Sequence, residues 1–361
     1  MDDAAALDAR ILAAIAAYAL DDDAFLALAR DLFTYQVARN APYAAFARAA
    51  GYDGARLPER VEDIPAVPAA AFKEARLATF PEAETAAWFE TSGTTRGAGG
   101  RHELPATALY EAALLASFDR MMLADGARLR YLNLVPDPRE RPHSSLGHMM
   151  GTVSRDRGDA RDGWYLHGDE LNAEGFIRAV ARAHDDGIAV CVATTAFALV
   201  ALLDALAERN AVLALPAGSR IMETGGFKGR SRVVERATLY GETSARLGVP
   251  VDAIVAEYGM TELSSQYYDA HASRVRIEPR VKVAPPWLRA IVVGGDGRPL
   301  PAGVVGAIRH VDLANRGSVL AIETEDLGAI VDGGLVLLGR EHGAEMRGCS
   351  LDAETLLARR G

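Results

Sequence analysis

The feature that most constrains the fold is an alternation of short apolar runs with longer helical patterns between residues 129 and 257. Four runs have the length and composition of buried strands: 129–135, 188–193, 219–223 and 252–257. Three helical patterns lie between them: 171–186, 195–209 and 231–246. Such alternation builds βαβ units, in which parallel strands are covered by helices. We therefore predict an α/β fold with a largely parallel sheet flanked by helices, and a polar loop over 136–163.

The two flanks of this core have a different texture. Residues 4–48 are rich in alanine and carry apolar side chains at helical spacing, which predicts two or three amphipathic helices. Beyond residue 273, short β-branched runs such as RVRIE and LRAIVV alternate with turn residues, which predicts a mostly antiparallel β subdomain. The predicted domains are a helical N-terminal region (1–85), an α/β core (86–272) and a β-rich C-terminal subdomain with a short tail (273–361).

Composition excludes several classes of protein. The chain has 361 residues and a formal net charge of −10, which argues against a nucleic-acid partner. Two cysteines make a disulfide framework improbable and favour a reducing compartment. The longest apolar stretch, 188–203, contains Thr194 and Thr195, so it predicts a strand and a capped helix, not a membrane span. With an acidic N-terminus, the expected location is cytoplasmic.

A loop of small and hydroxyl residues is the first candidate site. The segment TSGTTRGAGGRH, residues 91–102, follows the strand-like WFET and is predicted to precede a helix from about residue 105 to 123. Its hydroxyls and unhindered backbone N–H groups suit polyphosphate oxygens, with Arg101 as a counter-charge. It lacks the Gly-Lys-Ser/Thr ending of a Walker loop. A surface loop without function is the alternative interpretation.

Further candidate segments follow predicted strands, where ligands of open α/β sheets bind. They are EYGMTE (257–262), ETGGFK (223–228), ETEDLG (323–328) and the pair Gly339-Arg340. Tyrosine can stack on a base, threonine can reach a phosphate, glutamate can hold Mg²⁺ and aspartate can bind ribose hydroxyls. Each segment taken alone is equally consistent with a turn or a helix cap.

The joint order and spacing of these segments resemble the acyl-adenylate-forming superfamily, which includes acyl-CoA synthetases, firefly luciferase and peptide-synthetase adenylation domains. The motifs are SGTT, then YGMTE about 165 residues later, then TEDLG and GR. More narrowly, IPAVPAAAFK, ETSGTT, ETGGFKGR, EYGMTELSSQYYD and RGCSLD resemble the acyl-protein synthetases, the LuxE-type component of bacterial bioluminescence fatty-acid reductases. This resemblance covers the chain from about residue 60 onward.

The resemblance implies roles for residues that match the motifs. It implies ATP and Mg²⁺ as cofactors and an α/β core that binds the nucleotide and the acyl group. The residues expected to contact the ATP phosphates are Ser92, Gly93, Thr94 and Thr95. Gly225, Gly226, Tyr258 and Gly259 would border the nucleotide, and Asp326 and Arg340 would hold the ribose. Thr261 would bind the α-phosphate, Glu262 the metal, and Cys349 would accept the acyl group.

Three departures from the superfamily pattern stand out. Arg96 occupies a position usually held by glycine, and the phosphate loop lacks its usual lysine. The chain also stops soon after Arg340, so we expect the mobile C-terminal domain of adenylating enzymes to be absent or truncated. Lys228, Arg347 or a partner protein are candidates to replace that domain's lysine, and the remaining alternative is that nothing replaces it.

The expected function is ATP-dependent activation of a carboxylic acid, by resemblance a fatty acid, with acyl transfer to a thiol. The first interpretation transfers the acyl group to Cys349 and then to an accepting protein, such as a reductase or a carrier protein. The alternative is a ligase that uses coenzyme A or a carrier-protein thiol, in which Cys349 is incidental. A third interpretation, of another class, is a non-catalytic nucleotide- or acyl-binding subunit.

Two other sets of residues are predicted not to be catalytic. Cys191 lies within the apolar run IAVCVA and is expected to be an inert core residue. His143 and His148 lack zinc-ligand spacing, and their segment, 141–150, is expected to border the acyl site.

Overall fold

A computed structural model describes residues 3–52, 56–91, 99–225, 234–276 and 278–340. The α-helices in this part of the chain are α1 Asp3–Ala17, α2 Asp22–Arg39, α3 Ala41–Ala49, α4 Ala71–Glu74, α5 Ala108–Met122, α6 Ser145–Arg157, α7 Ala173–Asp185, α8 Ala196–Glu208 and α9 Arg236–Leu247.

The strands of the described residues are mostly short, and five are longer than five residues. They are β1 Val67–Pro68, β2 Ala87–Glu90, β3 Arg101–Leu104, β4 Arg130–Leu134, β5 Gly163–Trp164, β6 Leu166–His167, β7 Glu170–Leu171, β8 Val190–Thr195, β9 Arg220–Thr224, β10 Ile254–Tyr258, β11 Tyr267–Asp269, β12 Lys282–Val283, β13 Leu288–Val293, β14 Gly306–Asp312, β15 Ala321–Val331 and β16 Gly334–Arg340.

The chain divides into two compact units, each built from separate stretches of sequence. The first contains residues 1–117, 260–266 and 284–343, and the second contains 118–259, 267–283 and 344–361. The boundary falls inside α5 and again between Gly259 and Met260. The three-region division expected from sequence texture remains a prediction, and the compact units follow different boundaries.

The second unit is built on a largely parallel sheet in the order β5-β4-β8-β9-β10. Two short antiparallel strands, β11 and β12, continue it beyond β10. The central strand β8 is buried along nearly its whole length, as expected for a strand covered on both faces. Side chains of these strands and of α7, α8 and α9 form one apolar core.

Helix starts and ends in this unit follow from local chemistry. Thr195 caps α8 because its hydroxyl accepts from the N–H of Ala198 at 3.2 Å. Gly248 ends α9 in the left-handed conformation with φ +65°, and its N–H donates to the carbonyl of Ser244. The apolar stretch 188–203 is therefore a strand and a capped helix, as predicted.

The first unit combines helices α1–α3 with antiparallel strands. Strands β13, β14, β15 and β16 pair in chain order and antiparallel, and β1 pairs parallel with β15. Strands β2 and β3 form a separate hairpin. The mostly antiparallel β region predicted for the C-terminal part of the chain is confirmed, as is the α/β class with a largely parallel sheet. The predicted ending of the chain, 341–361, lies outside the described residues.

The N-terminal helices join the strands of their unit through a fully buried glutamine. The Nε2 of Gln36 on α2 donates to the carbonyl of Asn315 at 2.8 Å. Its Oε1 accepts from the N–H of Leu320 at 2.9 Å. Arg316 adds a two-pronged ion pair with Asp8 of α1. Because buried amides need such partners, α1 and α2 are integral to this unit.

Two local predictions are wrong. The predicted polar loop over 136–163 contains α6, whose start is capped by Ser144 and whose buried side includes Met149, Met150 and Val153. Arginines, aspartates and glycines elsewhere in α6 concealed that apolar face in the sequence. In addition, residues 274–276 of the RVRIE run form turns, because the Arg274 guanidinium donates to the carbonyls of Asp269 and Met121.

The glycine-rich loop was predicted to connect a strand to a helix, and this is also wrong. Residues 101–104 form β3, which pairs antiparallel with β2 before α5 begins. The sequence RHEL has no apolar alternation, so its strand character depends on the pairing with β2. Strands β2 and β3 therefore form a hairpin, and residues 92–98 between them lie outside the described residues.

Within the described residues, no helix combines the length and the apolar character required to cross a bilayer.

A buried carboxylate between two cations stabilises the sheet of the second unit. Asp269 on β11 receives Arg280 Nη1 and Lys282 Nζ, both at 2.9 Å, and all three side chains are almost fully buried. Burial opposes ionisation, but the two cations together hold the pKa of Asp269 below its usual range.

We expect Asp269→Asn to lower the unfolding free energy by about 3–5 kcal/mol, because it leaves two buried cations without a counter-charge. Urea unfolding of the full chain measures this. Asp125→Asn is the matched control, since Asp125 pairs with Arg220 but is 58% exposed, and it should change stability far less. Equal effects of the two substitutions would contradict the assignment.

Candidate active site

Two neighbouring parallel strands of the second unit end side by side. The register pairs Glu257 on β10 with Thr224 on β9. Gly225 follows β9 directly, while Tyr258 is the last residue of β10 and Gly259 comes after it. Carboxyl ends of adjacent parallel strands are where open α/β sheets bind ligands. The structure thus brings together three of the four residues predicted to border the nucleotide.

Gly225 and Tyr258 have definite local geometry. Gly225 has φ +73°, and an added Cβ would meet no atom within 4 Å, so the backbone conformation and not lack of space favours glycine there. The ring of Tyr258 packs at a tilt against Tyr267, with 5.7 Å between ring centroids. The fourth predicted residue, Gly226, lies outside the described residues.

Two buried glutamates lie beneath these strand ends. Burial raises the pKa of Glu257 to about 7, although the Thr224 hydroxyl donates to its carboxylate and acts in the opposite direction. Burial also raises the pKa of Glu223, whose carboxylate accepts from the Tyr240 hydroxyl at 3.2 Å. Glu257 therefore changes its protonation near neutral pH, a property that its sequence motif did not indicate.

The backbone of β10 is held by charged side chains two residues before Tyr258. The N–H of Ala256 donates to Asp269 at 2.8 Å, and Lys282 Nζ donates to the carbonyl of Ala256 at 3.0 Å. These are charge-assisted hydrogen bonds in a buried environment. They fix the strand that presents Tyr258 and Gly259.

In the first unit, buried side chains hold the backbone of Thr261 and Glu262. His102 Nδ1 lies 2.8 Å from the carbonyl oxygen of Thr261, and Asn315 Nδ2 donates to the carbonyl of Glu262 at 2.8 Å. The Thr261 hydroxyl donates to the carbonyl of Glu90 at 3.4 Å, the long end of hydrogen-bonding range. The two residues predicted to contact the phosphate and the metal thus lie on a backbone fixed at consecutive carbonyls.

The residues that follow are held by a buried carboxylate. Asp312 accepts from the N–H of Ser264 at 2.9 Å, the hydroxyl of Ser265 at 2.8 Å and the N–H of Ala314 at 3.0 Å. Burial raises the pKa of Asp312 to about 6, although these hydrogen bonds oppose the shift. The Ser264 hydroxyl also donates to Asn315 Oδ1 at 2.6 Å, so the network is continuous.

The stem of the predicted phosphate loop is closed by a reciprocal pair of hydrogen bonds. The N–H of Thr91 donates to the carbonyl of Gly100 at 2.8 Å, and the N–H of Gly100 donates to the Thr91 hydroxyl at 2.9 Å. A Cβ on Gly100 would lie 2.6 Å from the carbonyl oxygen of Phe72, so close backbone approach requires glycine. Arg101 lies over the Trp88 ring at 4.3 Å.

Asp326 and Arg340, predicted to hold the ribose, are direct partners across β15 and β16. Within β15, the hydroxyl of Thr324 accepts from the N–H of Asp326 at 3.1 Å. Their pairing places the two residues at one point of the antiparallel sheet, as a shared ligand would require.

Several predicted site residues lie outside the described residues, and their roles remain predictions. They are Ser92, Gly93, Thr94, Thr95, Arg96, Gly226, Lys228, Arg347 and Cys349. No group of three or more His, Cys, Asp or Glu side chains in the described ranges can hold a metal ion.

Cys191 has the environment of an inert thiol. It is fully buried on β8, and burial raises its pKa to about 12. His143 precedes α6 and His148 lies on it, both partly buried. Their predicted place beside the acyl group remains a prediction.

Sequence reasoning assigned no role to His102, Asp312 or Asn315. Each acts on residues 261–265 from at least 47 positions away in sequence. The sequence shows only a polar residue within an ordinary segment. It does not show which distant residue this side chain contacts in the fold.

No protein-family model and no curated protein sequence matches this chain. Solved structures do match it. One is a 2-hydroxyisobutyryl-CoA ligase in complex with 2-HIB-AMP and CoA, in the thioesterification state, with TM-score 0.67 and 15% identity over 91% of this chain and 70% of that chain. The chain has the fold of adenylating enzymes.

Two further structures with this fold are longer than the present chain. The A-PCP portion of McyG in complex with phenylalanyl-adenylate matches with TM-score 0.52 and 17% identity, over 74% of this chain and 49% of that chain. ATP-bound MatB from Rhodopseudomonas palustris matches with TM-score 0.50 and 18% identity, over 73% and 49%. The present chain thus spans about half the length of these two.

The raised pKa of Glu257 predicts a pH-dependent stability. A carboxyl group whose pKa is higher in the folded state than in the unfolded state makes its full contribution to stability below the unfolded pKa of 4.5. This contribution is lost as the pH rises through the folded pKa of about 7. Wild type should therefore lose about 3 kcal/mol of unfolding free energy from this group between pH 4.5 and pH 8.

Glu257→Gln should lack this component, so the difference between variant and wild type changes across that range. Urea unfolding at pH 5 and pH 8 measures it. Glu174→Gln, an exposed glutamate on α7 in the same unit, is the control. A constant difference between Glu257→Gln and wild type at the two pH values would disprove the raised pKa.

Proposed function

We propose that this chain activates a carboxylic acid with ATP, forming an acyl-adenylate and pyrophosphate, and then transfers the acyl group to a thiol. The observation that carries the proposal is the rigid presentation of Thr261 and Glu262. The buried side chains of His102 and Asn315 bind the consecutive carbonyls of these residues, in a chain that has the fold of adenylating enzymes. Preorganised groups stabilise charge that develops during a reaction without reorganising at that moment.

The first step joins a carboxylate oxygen to the α-phosphorus of ATP and breaks the bond to pyrophosphate. In this proposal residues 92–98, which lie between β2 and β3 in the sequence, bind the phosphates through hydroxyls and backbone N–H groups. Thr261 contacts the α-phosphate, and Glu262 supplies one carboxylate ligand to Mg²⁺, a donor that suits this ion beside phosphate oxygens. When bound, the ion neutralises phosphate charge.

The residues proposed to bind the nucleoside part of ATP are those that the resemblance implies. Gly225, Tyr258 and Gly259 border the adenine, and the paired residues Asp326 and Arg340 hold the ribose. The left-handed turn at Gly225 suits a flat ring, because no side chain projects from it.

In the second step a thiolate attacks the acyl carbonyl carbon and AMP leaves. We propose Cys349 as the thiol, in an acyl-protein synthetase that passes the acyl group, by resemblance a fatty acyl group, to a partner protein. Cys191 cannot serve, since it is buried and its pKa is about 12. The competing proposal is an external thiol, favoured by the bound CoA in the matching ligase structure and by the carrier portion of McyG.

The adenylation step is tested by acid-dependent exchange of labelled pyrophosphate into ATP, with a panel of fatty, hydroxy and aromatic acids. We expect exchange with at least one acid class and a loss of about 100-fold or more in Glu262→Gln, because the metal loses its carboxylate ligand. Glu59→Gln, an exposed glutamate of the same unit, should retain full activity. Absence of exchange with every acid would refute the proposal.

The acceptor is tested by intact mass after incubation with Mg-ATP and the acids that support exchange. Self-acylation predicts a hydroxylamine-labile mass gain in wild type that disappears in Cys349→Ser, which still carries Cys191. No mass gain, together with thioester formation on added coenzyme A, would support the external-thiol ligase and refute acylation of Cys349.

A further inference from the structure

A histidine next to the phosphate loop contacts the backbone of Thr261. His102 lies on β3, two residues after Gly100, whose hydrogen bonds with Thr91 close the loop stem. Its Nδ1 is 2.8 Å from the carbonyl oxygen of Thr261, although 159 positions separate the two residues. The edge of its ring packs against Phe72 at 5.8 Å between centroids.

The chemistry of this contact settles the tautomer. A carbonyl oxygen only accepts, so Nδ1 carries the hydrogen and Nε2 is a bare acceptor. Burial lowers the pKa of His102 to about 4, so the ring is neutral at physiological pH. Among the described residues, no donor lies within hydrogen-bond distance of the buried Nε2.

An apolar side chain could also fill this buried space. What the histidine adds over an apolar residue is the hydrogen bond to Thr261. This contrasts with Tyr43 in the same unit, where a buried hydroxyl donates to the carbonyl of Pro65 at 2.9 Å, away from any candidate site residue.

The β2–β3 hairpin holds Thr261 from both strands. His102 on β3 binds its carbonyl, and the carbonyl of Glu90 on β2 accepts from its hydroxyl at 3.4 Å. Both contacts come from described residues of the hairpin. A shift of the Thr261 backbone relative to the hairpin would therefore break them.

We propose that His102 is a positioning residue for adenylation. The hydrogen bond from its Nδ1 fixes the backbone of Thr261 relative to the β2–β3 hairpin. This inference rests on the proposed function. His102 acts through Thr261 and does not itself touch the reacting atoms, so its effect falls on the rate of adenylate formation and not on binding of the acid.

A pair of amide variants tests the proposal at matched polarity. Asn places its N–H group near the position of Nδ1, whereas Gln extends toward the position of Nε2. We expect His102→Asn to retain most of the kcat for pyrophosphate exchange and His102→Gln to lose about tenfold or more, with the KM for the acid unchanged in both. Tyr43→Phe, which also loses a buried hydrogen bond to a carbonyl, should keep wild-type kcat.

A second measurement does not depend on activity. Backbone hydrogen exchange of residues 260–266 should be faster in His102→Gln and His102→Leu than in wild type and His102→Asn, with α1–α3 unaffected. If wild type shows no pyrophosphate exchange with any acid, the proposed function fails. The backbone hydrogen exchange still reports whether His102 holds Thr261. Equal kcat and equal hydrogen exchange in the Asn and Gln variants would overturn the positioning role.

Discussion

The buried carboxylate of Asp312 is the group on which the segment of residues 260–266 depends. It accepts from the backbone of Ser264, the hydroxyl of Ser265 and the backbone of Ala314, and Trp287 Nε1 adds a bond to Ser265 at 3.0 Å. A buried polar network whose members are satisfied makes its surroundings more rigid. These bonds therefore favour one backbone conformation of the segment.

The chain passes from the second unit to the first between Gly259 and Met260, and buried polar groups anchor it on both sides. Before the crossing, Asp269 and Lys282 bind both backbone groups of Ala256. After it, His102 binds the carbonyl of Thr261. Each side of the crossing is thus held by side chains of its own unit, Ala256 by those of the second unit and Thr261 by one of the first.

Much of the fold could be predicted because local pattern and tertiary environment agree. The apolar run of β8 and the threonine cap of α8 can both be recognised from fewer than ten consecutive residues. Helix α6 and strand β3 were missed for opposite reasons. The apolar face of α6 is masked by polar neighbours, whereas β3 has no strand pattern and is a strand only because β2 pairs with it. The candidate site residues could be proposed from the sequence because the order and spacing of their motifs resemble those of a known superfamily.

The sequence by itself determined the α/β class and the inert character of Cys191, and it supplied a set of candidate nucleotide-binding residues, because periodicity, burial tendency and side-chain chemistry are properties of short segments. Only the tertiary structure decided which groups hold those residues in place. His102 and Thr261 are 159 positions apart, and the hydrogen bond between them exists only once folding has brought them together. The raised pKa of Glu257 likewise arises from desolvation, which no local pattern specifies.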